Sequence, residues 1–190
     1  NHLTAQHFKS FTDLIYFNVG CDTEGNLTGQ NNAQFLNGLD KLKNLRGTAG
    51  SKIILGVAHC DGGLTAFTGN AEKRRQFAYQ LVSFAREKGF DGIDIDWEYP
   101  DNGTEWYNFC LLLGEVRSAM GMSLSAAINP YYLAPTSEMM DLLDFVNVMS
   151  YDRAGQHSTY PDMLIDIQTI RRKNIPDCKI VVGLPFYTKE

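Results

Sequence analysis

Apolar and polar positions along this chain follow two alternating rhythms. Short runs of branched and aromatic residues, bounded by Gly, Asn or Pro, predict strands at "LIYFNVG" (14–20), "KIILGVAH" (52–59), "SLSAAINP" (123–130), "FVNVMSYD" (145–152) and "KIVVGLPFY" (179–187). Between them, apolar residues recur at every third or fourth position, the spacing of one helix face. "NAQFLNGLDKLKNLRG" carries Phe35, Leu39, Leu42 and Leu45 in this way, with Gly47 placed to end the helix. "NAEKRRQFAYQLVSFAREKG" carries Phe77, Leu81 and Phe84, with Asn70 as a start signal and Gly89 past the end. "TEWYNFCLLLGEVRSAMG" presents Trp106, Phe109, Leu113, Val116 and Met120 for burial. A short helix is expected near Ser137, and "PDMLIDIQTIRRKN" reads as helical. Strands that are apolar on both faces and alternate with helices predict a parallel sheet covered by helices. A barrel and a doubly wound sheet both fit that rhythm.

One further strand breaks the apolar pattern. "FDGIDIDWEYP" (90–100) sets Asp91, Asp94, Asp96 and Glu98 among strand formers. Alternate residues of a strand share a face, so Asp94, Asp96 and Glu98 point one way while Ile93, Ile95 and Trp97 point the other. Two strand rises place successive carboxylates roughly 6–7 Å apart. Burying one unpaired carboxylate costs several kcal/mol or forces it to take up a proton, so three in a row cannot all be ionised. At least one holds or shares a proton near neutral pH, as a general acid must. Glu98 lies at the C-terminal end of the strand, where the active sites of parallel barrels open. It is the candidate acid, and Asp96 and Asp94 are the groups that tune it.

In "FVNVMSYD" the same alternation puts Asn147, Met149 and Tyr151 on one face, with Asp152 at the strand end. A phenol and a thioether beside carboxylates make a semi-polar pocket suited to an amide or a sugar. Tyr16, inward by the alternation in "LIYFNVG", Trp97 and Tyr187 are the aromatic candidates for substrate contact, whereas Tyr99 and Tyr131 could line a groove but read rather as loop residues. Two other readings of the acid run compete with catalysis. The carboxylates could sit exposed on an edge strand as a solubility device. They could instead be magnesium ligands, with Asp61 and Asp152 as further strand-end carboxylates. A calcium-loop reading fails, because the run lacks the Gly turn and spacing of that motif.

Composition narrows the rest. A chain of 190 residues is one domain or most of one, and 44% hydrophobic with 12% aromatic content is that of an ordinary globular protein. The net charge of −5, without any Lys/Arg run, argues against a nucleic-acid partner. No apolar stretch approaches the roughly 20 residues that span a bilayer, so no membrane partner is expected. The chain begins at Asn1 without a leader pattern and so reads as a processed piece. Cys21, Cys60, Cys110 and Cys178 are widely spaced, against a zinc site or a dense disulfide scaffold. The sequons at Asn26 and Asn102 matter only in a eukaryotic secretory pathway.

These residues together resemble glycoside hydrolase family 18, the chitinases and their relatives. "DGIDIDWEYP" resembles the family's DGxDxDWEYP signature, "NVMSYD" its MxYD motif, "KIVVGLPFY" its G-x-P-x-Y strand, and "FTDLIYFNVGCDTEGNLT" its second barrel strand. The resemblance implies an α/β fold, a TIM (β/α)8 barrel that is here incomplete, with residues 1–190 covering about strands 2–7. It implies retaining hydrolysis of β-1,4-linked N-acetylglucosamine, in which the substrate's own 2-acetamido oxygen is the nucleophile. Glu98 matches the acid/base, Asp96 the residue that hydrogen-bonds the acetamido N–H, and Asp94 the deeper acid sharing a proton with it. Tyr151 matches the hydroxyl that holds the acetamido group, Asp152 a substrate contact, and Met149 a pocket wall. The expected partner is chitin or an N-acetylglucosamine oligosaccharide, with no cofactor, and the expected protein is a monomer that is secreted, periplasmic or at the cell surface. A chitin- or N-glycan-binding lectin of the same fold, an endo-β-N-acetylglucosaminidase and a metal-dependent barrel enzyme are the alternatives.

Two departures from the family pattern stand out. Many members have Ser-x-Gly-Gly where this chain reads "GVAH", so a serine supporting the inner acid is missing at Gly56, and His59 is its candidate substitute. Trp97 and Trp106 are the only tryptophans, so the Trp of the eighth strand is not in this chain. An open sheet with two parallel edges is expected, as in a fragment of a longer protein.

Overall fold

The computed structural model describes residues 3–58, 60, 62–132 and 137–188. Among them, seven strands form one sheet in the order β2-β1-β3-β4-β5-β6-β7. β1 (Asp13–Cys21), β3 (Lys52–Val57), β4 (Gly92–Asp96), β5 (Ser123–Ile128), β6 (Phe145–Val148) and β7 (Ile180–Val182) run parallel. β2 (Leu27–Thr28) folds back antiparallel on the end of β1, pairing Cys21 with Leu27, and so covers part of that edge. Each parallel strand lies beside its neighbour in sequence. The order never reverses, so there is no switch point of a doubly wound sheet, and the wall is that of a barrel. This resolves the choice that periodicity left open.

The connecting helices are α1 (Ala33–Arg46), α2 (Gly63–Phe67), α3 (Ala71–Glu87), α4 (Gly103–Ala119), α5 (Ser137–Leu142) and α6 (Tyr160–Arg171). The side-chain oxygens of Asn32, Asn70 and Asn102 each accept two first-turn N–H groups, at α1, α3 and α4. Alternate strand residues Ile53, Leu55, Val57, Ile93, Ile95, Leu124, Val146 and Val148 are fully buried against this layer. Each such side chain contributes about 1.5–3 kcal/mol of burial. β2 and α2 lie outside the sequence expectation, being only two and five residues long. Two strands are also shorter than their apolar runs. β6 stops at Val148, where the Ser150 N–H turns back to the Val148 carbonyl at 2.9 Å. β7 stops at Val182, leaving Leu184 and Phe186 exposed.

Register is pinned at the strand starts. Asp91, just before β4, accepts the Ile53 N–H of β3 at 2.8 Å and pairs with Arg46 of α1. Asp144, just before β6, does the same with the Leu124 N–H of β5 at 2.7 Å and Arg117 of α4 at 3.0 Å. Burial works against the Asp144 charge, but those two bonds hold its carboxyl below the ordinary range. Asp91 is thus a structural member of the acid run.

Candidate active site

The opposite face of the sheet carries the acids. Gly56, Asp94 and Ser125 lie level across β3, β4 and β5. Asp94 is only 1% exposed, which overturns the edge-strand reading. Its Oδ1 accepts the Ser125 hydroxyl at 2.5 Å and the Asn147 amide of β6 at 2.8 Å. Burial pushes its carboxyl up to about 6, with those two bonds pulling the other way. The missing serine at Gly56 is therefore replaced by Ser125 and Asn147 as the support of Asp94.

Asp96 ends the strand. Burial first, and then the Glu98 and Asp94 charges, push its carboxyl up to about 7. Its Oδ1 is buried with no hydrogen-bond partner among the described residues. Glu98 lies beyond the strand on the exposed rim, in hydrogen-bonding reach of Asp96 and Tyr99. A cavity of about 530 Å³ opens there, lined on one side by Asp96, Glu98, Tyr99 and Asp101 and on the other by Cys60, Gly62, Leu64 and Thr65.

Tyr151 comes from the chain that leaves β6. Its phenol is half-buried and is pushed up to about 12 by burial first, then by Asp96, Asp152 and Glu98, so it stays a hydroxyl donor. Its ring meets Tyr187 edge-on at 6.4 Å between centroids, and the Tyr187 hydroxyl donates to Asp152 Oδ1 at 2.8 Å. Gly183 makes room for this ring: a Cβ there would lie 2.7 Å from Tyr151 Cε1 and 2.9 Å from the Val148 carbonyl. Met149 is buried, apart from the helix-side core. The fold therefore gathers Asp94, Asp96, Glu98, Tyr151 and Asp152 at one end of the sheet.

Two aromatic candidates are corrected. Tyr16 faces the helices: its hydroxyl donates to the Phe35 carbonyl at 3.2 Å and its ring stacks on Phe35 at 4.8 Å. Tyr16 lies opposite helix-facing Leu55 and shares its side, and a slip in the β1–β3 pairing beyond it returns Val19, opposite Val57, to that same side. Phe17 takes the inward place instead, its ring carbons 3.1–3.2 Å from where a Gly56 Cβ would be. Trp97 borders the cavity but is 5% exposed and edge-on to Phe109 at 5.5 Å, so it has no open face for a sugar. His59 and Asp61 lie outside the described residues. Among the described residues, no three His, Cys, Asp or Glu side chains converge as a metal site would require.

The sequence reading missed Phe17 and Ser125. It named Tyr99 but preferred a loop role; Tyr99 lines the cavity and stacks face to face on Tyr132 at 4.8 Å beside Glu98. A usable signal existed for Ser125, a hydroxyl in an apolar strand one step along the sheet from Asp94.

Chemically, this is a graded row of carboxyls. Two titrate near neutrality, one stands at the rim, and a protonated phenol lies close enough to feel the charges of Asp96 and Glu98. Such a row can hold a proton at one member while another gives one up, and it titrates as one coupled system.

Comparison with known proteins agrees with this architecture. The family profile for glycosyl hydrolases family 18 matches residues 3–190, and the chain belongs to this family. It is 33% identical to Chitinase 1 of Aphanocladium album, across 64% of this chain and 37% of that protein. It is 34% identical to the class V chitinase of Arabidopsis thaliana, across 62% of this chain and 39% of that protein. A chitinase structure from Bacteroides thetaiotaomicron superposes with a TM-score of 0.84 at 24% identity, covering 94% of this chain and 60% of that one, and shares the fold. The chain thus spans less than two-fifths of the length of the two curated relatives.

Proposed function

We propose that the protein containing this chain hydrolyses β-1,4-linked N-acetylglucosamine, in chitin or chito-oligosaccharides, with retention and by substrate-assisted catalysis. In this reading Glu98 protonates the leaving glycosidic oxygen while the substrate's 2-acetamido oxygen attacks the anomeric carbon. Glu98 then takes a proton from the water that opens the oxazolinium intermediate. Asp96 accepts the acetamido N–H and offsets the positive charge of that intermediate, with Asp94 sharing its proton. Tyr151 holds the acetamido oxygen, Asp152 contacts the sugar, and Met149 lines the pocket. The reading also has the protein act as a monomer, secreted, in the periplasm or at the cell surface.

The observation that carries this reading is Asp96 Oδ1, a buried acceptor without a partner in a carboxyl that titrates near neutrality. Buried polar atoms are normally satisfied, and an incoming amide N–H would satisfy this one. The chitinase names of the relatives point to the same substrate class. The test is release of reducing sugar from chitin oligomers by the full-length protein. Glu98→Gln should lower kcat/KM by about 10²–10⁴-fold, the range of a lost general acid. A wild-type protein that binds the oligomers without cleaving them would instead be a lectin, and activity lost in excess chelator would point to a metal enzyme.

A further inference from the structure

Two thiols meet beside the cavity. Cys21 ends β1 and Cys60 lies just past β3, the adjacent strand. Val19 pairs with Val57, and the Ala58 N–H donates to the Val19 carbonyl at 3.0 Å, so the two chains leave the sheet side by side. Counting on from the Val19–Val57 pair, Cys21 is two residues along one strand and Cys60 three along the other. Gly63 is pressed onto the end of β1: a Cβ there would lie 2.8 Å from the Asp22 carbonyl oxygen and 2.9 Å from that of Cys21. Both cysteines are buried, and their side chains hydrogen-bond to each other. That bond, then burial and the nearby charge of Asp22, raises the Cys21 thiol above its ordinary range. Cys60 is the member that lines the cavity.

We propose that Cys21 and Cys60 are a redox modification site in the cleft wall, closed to a disulfide by a small-molecule disulfide such as oxidised glutathione. Cys60, reached through the cavity, attacks as a thiolate one sulfur of the oxidant and expels the other as a thiolate. Cys21 then gives its proton to that leaving thiolate or to water and attacks the Cys60 sulfur, expelling the second thiol. The two cysteines lose two electrons in total, and one oxidant disulfide becomes two thiols. The new bond ties the end of β1 to the segment that carries Gly62, Leu64 and Thr65 of the cavity wall.

The test is peptide mapping of the full-length protein after incubation with excess oxidised glutathione, alkylation and digestion. The expected product is a cross-linked peptide pair joining Cys21 to Cys60, lighter by two hydrogens than the two thiol peptides and lost on treatment with dithiothreitol. The oxidised protein should melt about 5 °C or more above the reduced one. Cys60→Ser should abolish that difference, whereas Cys178→Ser should preserve it. Full alkylation of both thiols after oxidation, or recovery of Cys60 solely as its glutathione adduct, would overturn the proposal. If Cys60→Ser does not fold, the wild-type peptide map decides alone.

Discussion

The Ser125 hydroxyl donates to Asp94 Oδ1 at 2.5 Å from the adjacent strand, and this bond opposes the burial that pushes the Asp94 carboxyl up to about 6. Ser125→Ala should therefore move Asp94 to a still higher value, since the bond favours the ionised form. The acidic limb of the kcat/KM profile of the full-length protein should shift to higher pH. One hydrogen bond is worth about 1 kcal/mol, or roughly five-fold in rate at a fixed pH on that limb. An unchanged profile would mean that Asp94 is uncoupled from the reaction.

Asp96 makes a stability prediction with a definite sign. Its folded carboxyl titrates at about 7, above the ordinary 3.8, so between those values the folded chain holds a proton that the unfolded chain has released. Its contribution to stability is complete below the ordinary value and is lost as pH rises through about 7. Asp96→Asn stays neutral throughout, so its Tm minus that of wild type should climb between about pH 4 and 7 and then level off. The gain is at most ~4 kcal/mol, from three pKa units at 1.36 each. Thermal melts of both proteins across that range check it.

Gly56→Ser, which restores the serine of the family pattern, should destabilise this chain. The new Cβ meets the Phe17 ring at 3.1–3.2 Å, so the ring must give by a few tenths of an ångström. A loss of about 1 kcal/mol is expected, reduced in Gly56→Ser combined with Phe17→Ala. Urea unfolding of the two variants and Phe17→Ala, taken as a double-mutant cycle, measures the coupling.

Gly183→Ala should displace Tyr151. The added methyl would lie 2.7 Å from the ring and 2.9 Å from a backbone carbonyl that cannot turn away. Stability should fall by roughly 1–3 kcal/mol. Activity should fall further than in a surface alanine control, because the phenol moves with the ring. Equal stability and activity in Gly183→Ala would show that Tyr151 adapts freely.

The fold was largely legible because its two periods are clean. Strands with two apolar faces required helices on one of them, and the acids marked which face was the other. Sequential strand order was not legible, since a rhythm of strands and helices carries no neighbour information. Asp94, Asp96 and Asn147 were read correctly in direction because polar residues label a face. Tyr16 was not, because "LIYFNVG" is apolar on both sides except at Asn18 and the pairing slips beyond Tyr16. Phe17 could enter because its neighbour across the sheet has no side chain, a property of Gly56 visible only once β1 and β3 are aligned. Trp97 is a different case: alternation had already turned it towards the helices, and an aromatic beside an acid is no evidence for a sugar contact on its own.

Asp91 holds β4 at the end away from the cavity, through Ile53 and Arg46. A strand anchored there behaves as a ruler. Glu98 emerges seven residues above the anchor, and its height over the floor is fixed by a lock that never meets a ligand. Were the lock to slip by one notch, every side chain would trade sides, and isoleucines would stand where protons are handled. Damage at the foot of the strand, as in Arg46→Ala, would then surface as a fault at its tip.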